Sequence, residues 1–111
     1  MWFIIVNPAA GGGAAKRLWL RIERDLQAQG FSYSVRFTER KMHAVELVEE
    51  AVARGYRKFL AVGGDGTVHE VANGILSQEF VPSREIGLAL LPVGTGNDWA
   101  KEWAQIGRAH V

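Results

Sequence analysis

The stretch over residues 62–70 constrains this chain most, because it joins a strand end, a glycine turn and a helix start. Residues 58–62 form a short, mainly apolar run typical of a strand, and the glycines around Asp65 then allow a sharp turn that exposes backbone N–H groups. Thr67 and Glu70 have the spacing of a capping box, which predicts a helix with Thr67 as its N-cap. The free N–H groups and the positive end of the helix dipole would meet at one point. The stretch therefore predicts a phosphate site.

The residues after this turn have helical spacing. The predicted helix runs through Asn73 and Gly74, and a glycine inside a helix is locally unfavourable. With Thr67 as the N-cap, one face of the helix carries the apolar residues Val68, Val71, Ala72, Ile75 and Leu76.

The composition excludes several classes of protein. With 111 residues, 48% of them hydrophobic, the chain is predicted to form one globular domain around one sheet. The formal net charge of +1, without a run of lysine or arginine, gives no support for a nucleic-acid surface. Because the chain has no cysteine, a disulfide framework, a thiolate metal site and a cysteine nucleophile are excluded. The absence of cysteine fits a cytoplasmic protein.

Three further strands are predicted, each followed by a polar or glycine-rich loop. Residues 2–6 form a continuous apolar run, typical of a central parallel strand that is covered on both faces. Residues 32–37 alternate between apolar and polar side chains, which predicts a half-exposed strand nearer the sheet edge. Residues 86–93 form another apolar run. Helical patterns follow the first two, over residues 15–26 and 42–54.

The alternation of strands and helices predicts an α/β fold with a parallel sheet and right-handed crossovers. The carboxyl ends of parallel strands share one edge, and ligands bind in the crevice beyond that edge. Every unusual loop of this chain follows a strand, so one phosphate-rich ligand is expected there and no second pocket elsewhere. The loops cover residues 7–13, 38–40, 63–67 and 94–98.

Four motifs resemble those of one family. Gly63-Gly64-Asp65-Gly66-Thr67 is similar to the signature loop of the diacylglycerol kinase catalytic family, which includes sphingosine and ceramide kinases and bacterial lipid kinases. Asn7-Pro8, followed by small residues and glycine, resembles the family's first motif, and Thr38-Glu39-Arg40 resembles its second. Residues 91–100 are similar to a later motif. The family also has Asn73-Gly74 within the helix that follows the signature loop, so the resemblance implies that Gly74 packs closely against a neighbouring element. The resemblance covers residues 2–104, which is nearly the whole chain.

The resemblance implies a three-layer α/β nucleotide-binding domain of the kind found in NAD kinases and diacylglycerol kinases. It implies ATP and Mg²⁺ as cofactors, with transfer of the ATP γ-phosphate to a lipid hydroxyl by the intact protein. Asp65 is the candidate for organising metal or phosphate, and no separate set of metal ligands is assigned. The residues implied at the nucleotide are Asn7, Pro8, Ala9, Ala10, Gly11, Thr38, Gly63, Gly64, Asp65, Gly66, Thr67, Val68, His69, Gly94, Thr95, Gly96 and Asn97.

In the family that this chain resembles, a second, mainly β domain carries the general base and further metal-site carboxylates. We expect residues 1–105 to be the ATP-binding half and residues 106–111, which depart from the family pattern, to be a non-native tail. The chain alone is then expected to be inactive. Its partners would be ATP and a diacylglycerol or sphingoid acceptor, with a peripheral membrane contact compatible with such a lipid, and the oligomeric state is left open.

Three alternatives remain from the sequence. NAD kinases carry a shorter form of the signature loop, and a non-catalytic regulatory module could bind a nucleotide with the same loops. A Rossmann dinucleotide site fits less well, because Gly11-Gly12-Gly13 lacks the required third glycine of that fingerprint. The acid after the second strand, Glu39, also falls one position late for such a site.

Overall fold

One sheet of four parallel strands organises the residues that the computed structural model describes, which are residues 1–93. Each strand lies within one residue of its predicted bounds. The strands are β1 (Trp2–Val6), β2 (Tyr33–Phe37), β3 (Lys58–Gly63) and β4 (Gly87–Pro92). The helices are α1 (Ala14–Ala28), α2 (His43–Ala53) and α3 (Asp65–Ser77), with 3₁₀ turns at Ala10–Gly13 and Ser83–Glu85.

The strand order in this sheet is β2-β1-β3-β4, and every pairing is parallel. Trp2 pairs with Tyr33 on one side and with Lys58 on the other, so β1 begins level with both neighbours. β1 is buried along its whole length, as its continuous apolar run predicts. β2 occupies an edge and is half-buried to exposed, which confirms its predicted position.

The two faces of the sheet carry different helices. Phe3 and Ile5 pack into a core with α2 and α3, whereas Ile4 and Val6 pack into a second core with α1. Successive residues of a strand point to opposite faces, so the apolar run of β1 supplies both cores. Trp19 of α1 is buried in the second core. The predicted three-layer α/β architecture is confirmed.

Gly74 lies where α3 crosses α2. A β-carbon added to Gly74 would lie 2.9 Å from the β-carbon of Val48 and 3.2 Å from the carbonyl oxygen of Val45. The two helices therefore approach more closely than any side chain at position 74 would allow. The expectation that this glycine serves close packing is confirmed.

The start of α3 differs from the prediction. The helix begins at Asp65 with Gly64 as its N-cap, and no side chain caps it, so the predicted capping box of Thr67 and Glu70 is wrong. The reason is that Thr67 already lies inside the first turn, where it packs against Gly63; a β-carbon on Gly63 would lie 2.8 Å from the β-carbon of Thr67.

The buried stripe of α3 shifts with this start. It follows Thr67, Val71, Gly74 and Ile75. Leu76 falls outside the stripe and is 71% exposed, so its predicted place on the core face is wrong. Within residues 1–93, no helix combines the length and apolar character needed to cross a membrane.

Candidate functional site

The chain reverses its direction across the sheet between β1 and β3. After β1 it continues through α1 to β2 on one side, whereas after β3 it continues through α3 to β4 on the other. The loops that follow β1 and β3 therefore diverge and leave a crevice at the carboxyl edge. Such a switch point is where open α/β sheets bind ligands. The fold thus provides a site at the edge that the sequence predicts.

The turn after β1 is built from left-handed glycines. Gly11, Gly12 and Gly13 have φ angles of 63°, 65° and 98°, a region that other residues enter only with strain. A β-carbon on Gly11 would lie 2.6 Å from Cγ1 of Val93, just after β4. Because β3 lies between β1 and β4, this turn passes across the carboxyl end of β3.

The turn after β3 is different. Gly64 is extended, with φ −88° and ψ −170°, and the left-handed glycines within residues 1–93 do not include Gly63, Gly64 or Gly66. Apart from its chain neighbours and, for Gly66, the backbone of α3 itself, no described atom lies within 4 Å of a β-carbon added to Gly64 or Gly66. The sharp turn that the sequence predicts forms without a left-handed glycine, because the extended Gly64 leads directly into α3. Gly64 and Gly66 leave open space at the start of α3.

The first amides of α3 are available to a ligand. Within residues 1–93, the N–H groups of Gly64, Asp65 and Gly66 have no acceptor, whereas those of Thr67 and Val68 donate to the carbonyl of Gly64 at 3.1 and 3.2 Å. The first N–H groups of any helix lack an intrahelical partner, and the dipole adds partial positive charge there. The arrangement can bind an anion without a charged side chain.

A crevice of about 240 Å³ lies at this edge. Two of its walls are extensions of the sheet, because the Asn7 amide donates to the Val62 carbonyl at 3.0 Å and the Thr38 amide to the Val6 carbonyl at 2.9 Å. The residues after β1, after β2 and in the first turns of α3 therefore meet around one space. Its lining consists of Asn7, Ala9, Thr38, Glu39, Arg40, Lys41, Thr67 and Glu70.

The family model of the diacylglycerol kinase catalytic domain matches residues 1–110. The chain belongs to this family. It is 38% identical over 98 residues to a diacylglycerol kinase of Staphylococcus haemolyticus, covering 88% of this chain and 28% of that protein. It is 33% identical over 98 residues to a diacylglycerol kinase of Bacillus subtilis, covering 88% of this chain and 31% of that protein.

A solved structure agrees with the fold. The crystal structure of a diacylglycerol kinase from Bacillus anthracis matches with a TM-score of 0.63 and 31% identity, covering 90% of this chain and 35% of that chain. The present chain thus spans about a third of the length of these relatives. The α/β architecture is shared with structures of the diacylglycerol kinase family.

The structure brings together part of the predicted nucleotide site. Asn7, Ala9, Thr38 and Thr67 line the crevice, and Pro8, Ala10 and Gly11 belong to the turn that starts from Asn7. Gly63, Gly64, Asp65, Gly66, Val68 and His69 lie at the end of β3 and the start of α3, beside the crevice and not in its lining. Gly94, Thr95, Gly96 and Asn97 lie outside the described residues.

Asp65 is the first residue of α3, and its side chain is exposed. Among the described residues, no group of three or more His, Cys, Asp or Glu side chains could hold a metal ion. A metal near Asp65 would therefore need oxygens from a ligand, which is how Mg²⁺ usually binds with phosphates. The role of Asp65 stays a prediction.

The sequence prediction missed charged residues of the lining. The motifs assign neither Lys41 nor Glu70 to a ligand site, and they include Arg40 without a role of its own. Arg40 Nη1 donates to Glu46 Oε2, and this hydrogen bond raises the pKa of Arg40 and lowers the pKa of Glu46. Basic residues directly after a strand, at the edge that carries the glycine turns, are the signal that could have found Arg40 and Lys41.

The loop over residues 38–42 is held by local contacts. Nδ1 of the buried His43 accepts a hydrogen bond from the Glu39 amide at 2.9 Å. Met42 has φ 66°, and within residues 1–93 it is the only non-glycine residue in the left-handed region. Surrounding structure must hold a residue in such a conformation. The loop therefore presents its side chains to the crevice from a defined backbone.

A second concavity lies at the opposite edge of the sheet, so the expectation of no further pocket is wrong. It measures about 360 Å³ and is lined by Met1 and residues 54–58. It forms because the left-handed Gly55, with φ 104°, ends α2 and leaves a depression beside the strand starts. The side chain of Arg57 in this cavity already makes hydrogen bonds within the protein, because its Nη1 donates to the carbonyls of Val52 at 3.0 Å and Tyr56 at 2.8 Å. Within residues 1–93, no run of left-handed glycines like the one after β1 lines this cavity.

Proposed function

We propose that this chain is the ATP-binding part of a lipid kinase of the diacylglycerol or sphingoid type. The intact protein would transfer the γ-phosphate of ATP to a lipid hydroxyl. Membership of the diacylglycerol kinase catalytic family supports kinase chemistry. The observation that carries the proposal is that the glycine turn after β1 and the open N–H groups of α3 flank one crevice at the switch point.

The backbone would bind the phosphates. The amides of residues 64–66 form a positive end without side-chain bulk, because Gly64 and Gly66 face open space. Such preorganised donors stabilise the charge that develops during phosphoryl transfer. Mg²⁺, with Asp65 and phosphate oxygens as its ligands, would neutralise part of that charge.

Side chains of the lining would hold the rest of the nucleotide. Thr67 is 5% exposed, it lines the crevice, and its hydroxyl makes no hydrogen bond within residues 1–93. Asn7 and Thr38 are fixed by their backbone bonds to the sheet. Such polar side chains orient a ligand in a concave site. Binding at this edge would leave acceptor choice to other parts of the intact protein, so the lipid class is proposed from the family alone.

The test is a titration of the 111-residue chain with Mg-ATP while backbone amide shifts are recorded. We expect shifts in residues 7–13, 38–41 and 64–69. Shifts confined to other residues, including those around the cavity of residues 54–58, would overturn the proposal.

A valine at Gly64 sharpens the test. Its β-carbon meets no described neighbour and the extended backbone suits valine, so Gly64→Val should fold and yet fill the space where phosphate approaches. The shifts should be lost. The matched control is Ala53→Val, which adds branched bulk at the exposed end of α2 and should leave them unchanged.

A further inference from the structure

The glycine turns at the crevice provide amides but no positive side chain. Residues 7–13 and 63–69 contain neither lysine nor arginine. A triphosphate carries several negative charges, and phosphoryl-transfer enzymes meet them with lysine or arginine as well as metal. Beside the first turn, Nη1 of Arg17 lies 3.5 Å from a β-carbon added to Gly13, but Arg17 does not line the crevice. A cation within the lining has to come from another element.

Within the described part of the crevice, the loop over residues 38–42 supplies that charge. Arg40 and Lys41 both line the space, together with the carboxylates of Glu39 and Glu70. Arg40 is already paired with Glu46, which lies on α2 outside the lining. Lys41 makes no ion pair or side-chain hydrogen bond within residues 1–93. Glu46 offsets the charge of Arg40, so Lys41 is the cation of the lining whose charge has no carboxylate partner within residues 1–93.

The backbone around Lys41 is anchored on both sides. The Thr38 amide donates to the Val6 carbonyl at 2.9 Å, which ties the loop to β1. The Glu39 amide donates to Nδ1 of the buried His43 at 2.9 Å, and Met42 is held at φ 66°. A flexible side chain on a fixed backbone loses less freedom on binding than one on a mobile loop.

We infer that Lys41 is the phosphate-binding cation of this crevice, with its Nζ on the phosphate chain of the bound nucleotide. Arg40, held by Glu46, borders the site and keeps the loop in place. The inference rests on the proposed nucleotide site and names a residue that the motif resemblance does not assign. It requires that the contribution of Lys41 to binding affinity grows with the number of phosphates on the nucleotide.

The experiment compares Lys41→Gln with the matched control Lys58→Gln, which makes the same charge change at the opposite edge of the sheet. Adenosine, AMP and Mg-ATP are titrated into each 111-residue chain at low ionic strength, where surface charges are least screened. Lys41→Gln should weaken Mg-ATP binding about tenfold, the low end for a hydrogen bond to a charged group, and leave adenosine binding unchanged. Lys58→Gln should change neither, and Lys41→Arg should retain most of the Mg-ATP affinity.

A second readout avoids substitution. Acetylation of the wild-type chain, followed by peptide mass spectrometry, should show that Mg-ATP protects Lys41 and not Lys58. Equal protection of both lysines, or none at Lys41, would contradict the inference.

The outcomes separate the two proposals. If the wild-type chain binds Mg-ATP at the crevice and the Lys41→Gln and Lys58→Gln variants have the same Mg-ATP affinity, the proposed role of Lys41 is wrong and the nucleotide site stands. If Lys41→Gln weakens the binding of adenosine as much as the binding of Mg-ATP, Lys41 acts through the loop conformation and the inference is also wrong. If the wild-type chain binds no Mg-ATP, both proposals fail together.

Discussion

Two glycine turns lie at the same edge of the sheet, and they use glycine for different reasons. The turn after β1 places Gly11, Gly12 and Gly13 in the left-handed region. The turn after β3 keeps Gly64 extended. The first turn therefore needs glycine for its backbone conformation, and the second does not.

The difference indicates what the second turn is built for. Gly63 serves packing, because a β-carbon there would meet Thr67. Gly64 and Gly66 serve neither conformation nor packing within the described residues, since open space surrounds both. A glycine that folding does not require, beside unpaired amides, favours the close approach of a ligand to the backbone. Substitution by alanine at four positions can test this comparison.

Gly11→Ala should cause the largest loss of stability. The substitution adds left-handed strain and a contact at 2.6 Å with Cγ1 of Val93. Strain costs about 1–2 kcal/mol and overpacking about 1–3 kcal/mol, so the free energy of unfolding should fall by about 2–5 kcal/mol. Urea denaturation followed by tryptophan fluorescence measures it. A loss of only about 1–2 kcal/mol, which is the strain alone, would show that Val93 moves freely away from the turn.

Gly63→Ala should cost less, because its backbone is not left-handed. The new β-carbon would still lie 2.8 Å from the β-carbon of Thr67, which the helix holds in place. Overpacking alone predicts a loss of about 1–3 kcal/mol in the free energy of unfolding. The same denaturation series measures it, and amide shifts should spread along the first turns of α3. Unchanged shifts there would contradict the packing role.

Gly12→Ala isolates conformational strain. Gly12 has φ 65°, and a β-carbon there meets no described atom within 4 Å beyond its chain neighbours. A loss of about 1 kcal/mol is expected from the left-handed backbone alone. Gly12→Asn is the control, because asparagine tolerates this region better and should recover part of the loss. Equal losses for both variants would mean that the turn is not left-handed in solution.

Much of the fold was predictable because its signals are local. Continuous apolar runs gave the buried strands, and alternation gave the edge strand, with bounds correct to within one residue. The start of α3 was not predictable in this way. Thr67 has the residue type and spacing of a cap, but its packing against Gly63 is a tertiary contact that spacing does not encode.

The site was predictable at the level of loops and less so at the level of side chains. Asn7, Thr38 and Thr67 follow strands and reach one crevice, as motif and topology suggest. Lys41 reaches it because Met42 and His43 set the loop's path, which requires the folded structure. The cavity at residues 54–58 arises from the way Gly55 ends α2 against the sheet, so no sequence motif marks it.

Gly64→Ala should give the smallest change in stability and the opposite sign. The extended backbone accepts alanine, no described atom opposes the new β-carbon, and alanine restricts the unfolded chain more than glycine does. The free energy of unfolding should therefore rise by about 0.4–1 kcal/mol, whereas affinity for Mg-ATP should fall because the methyl group occupies space next to the open amides. Denaturation and the amide-shift titration, run on the same sample, measure both quantities. A glycine that lowers stability and raises affinity is one retained for its ligand. If Gly64→Ala instead destabilises the chain as much as Gly12→Ala, the two turns use glycine for the same reason.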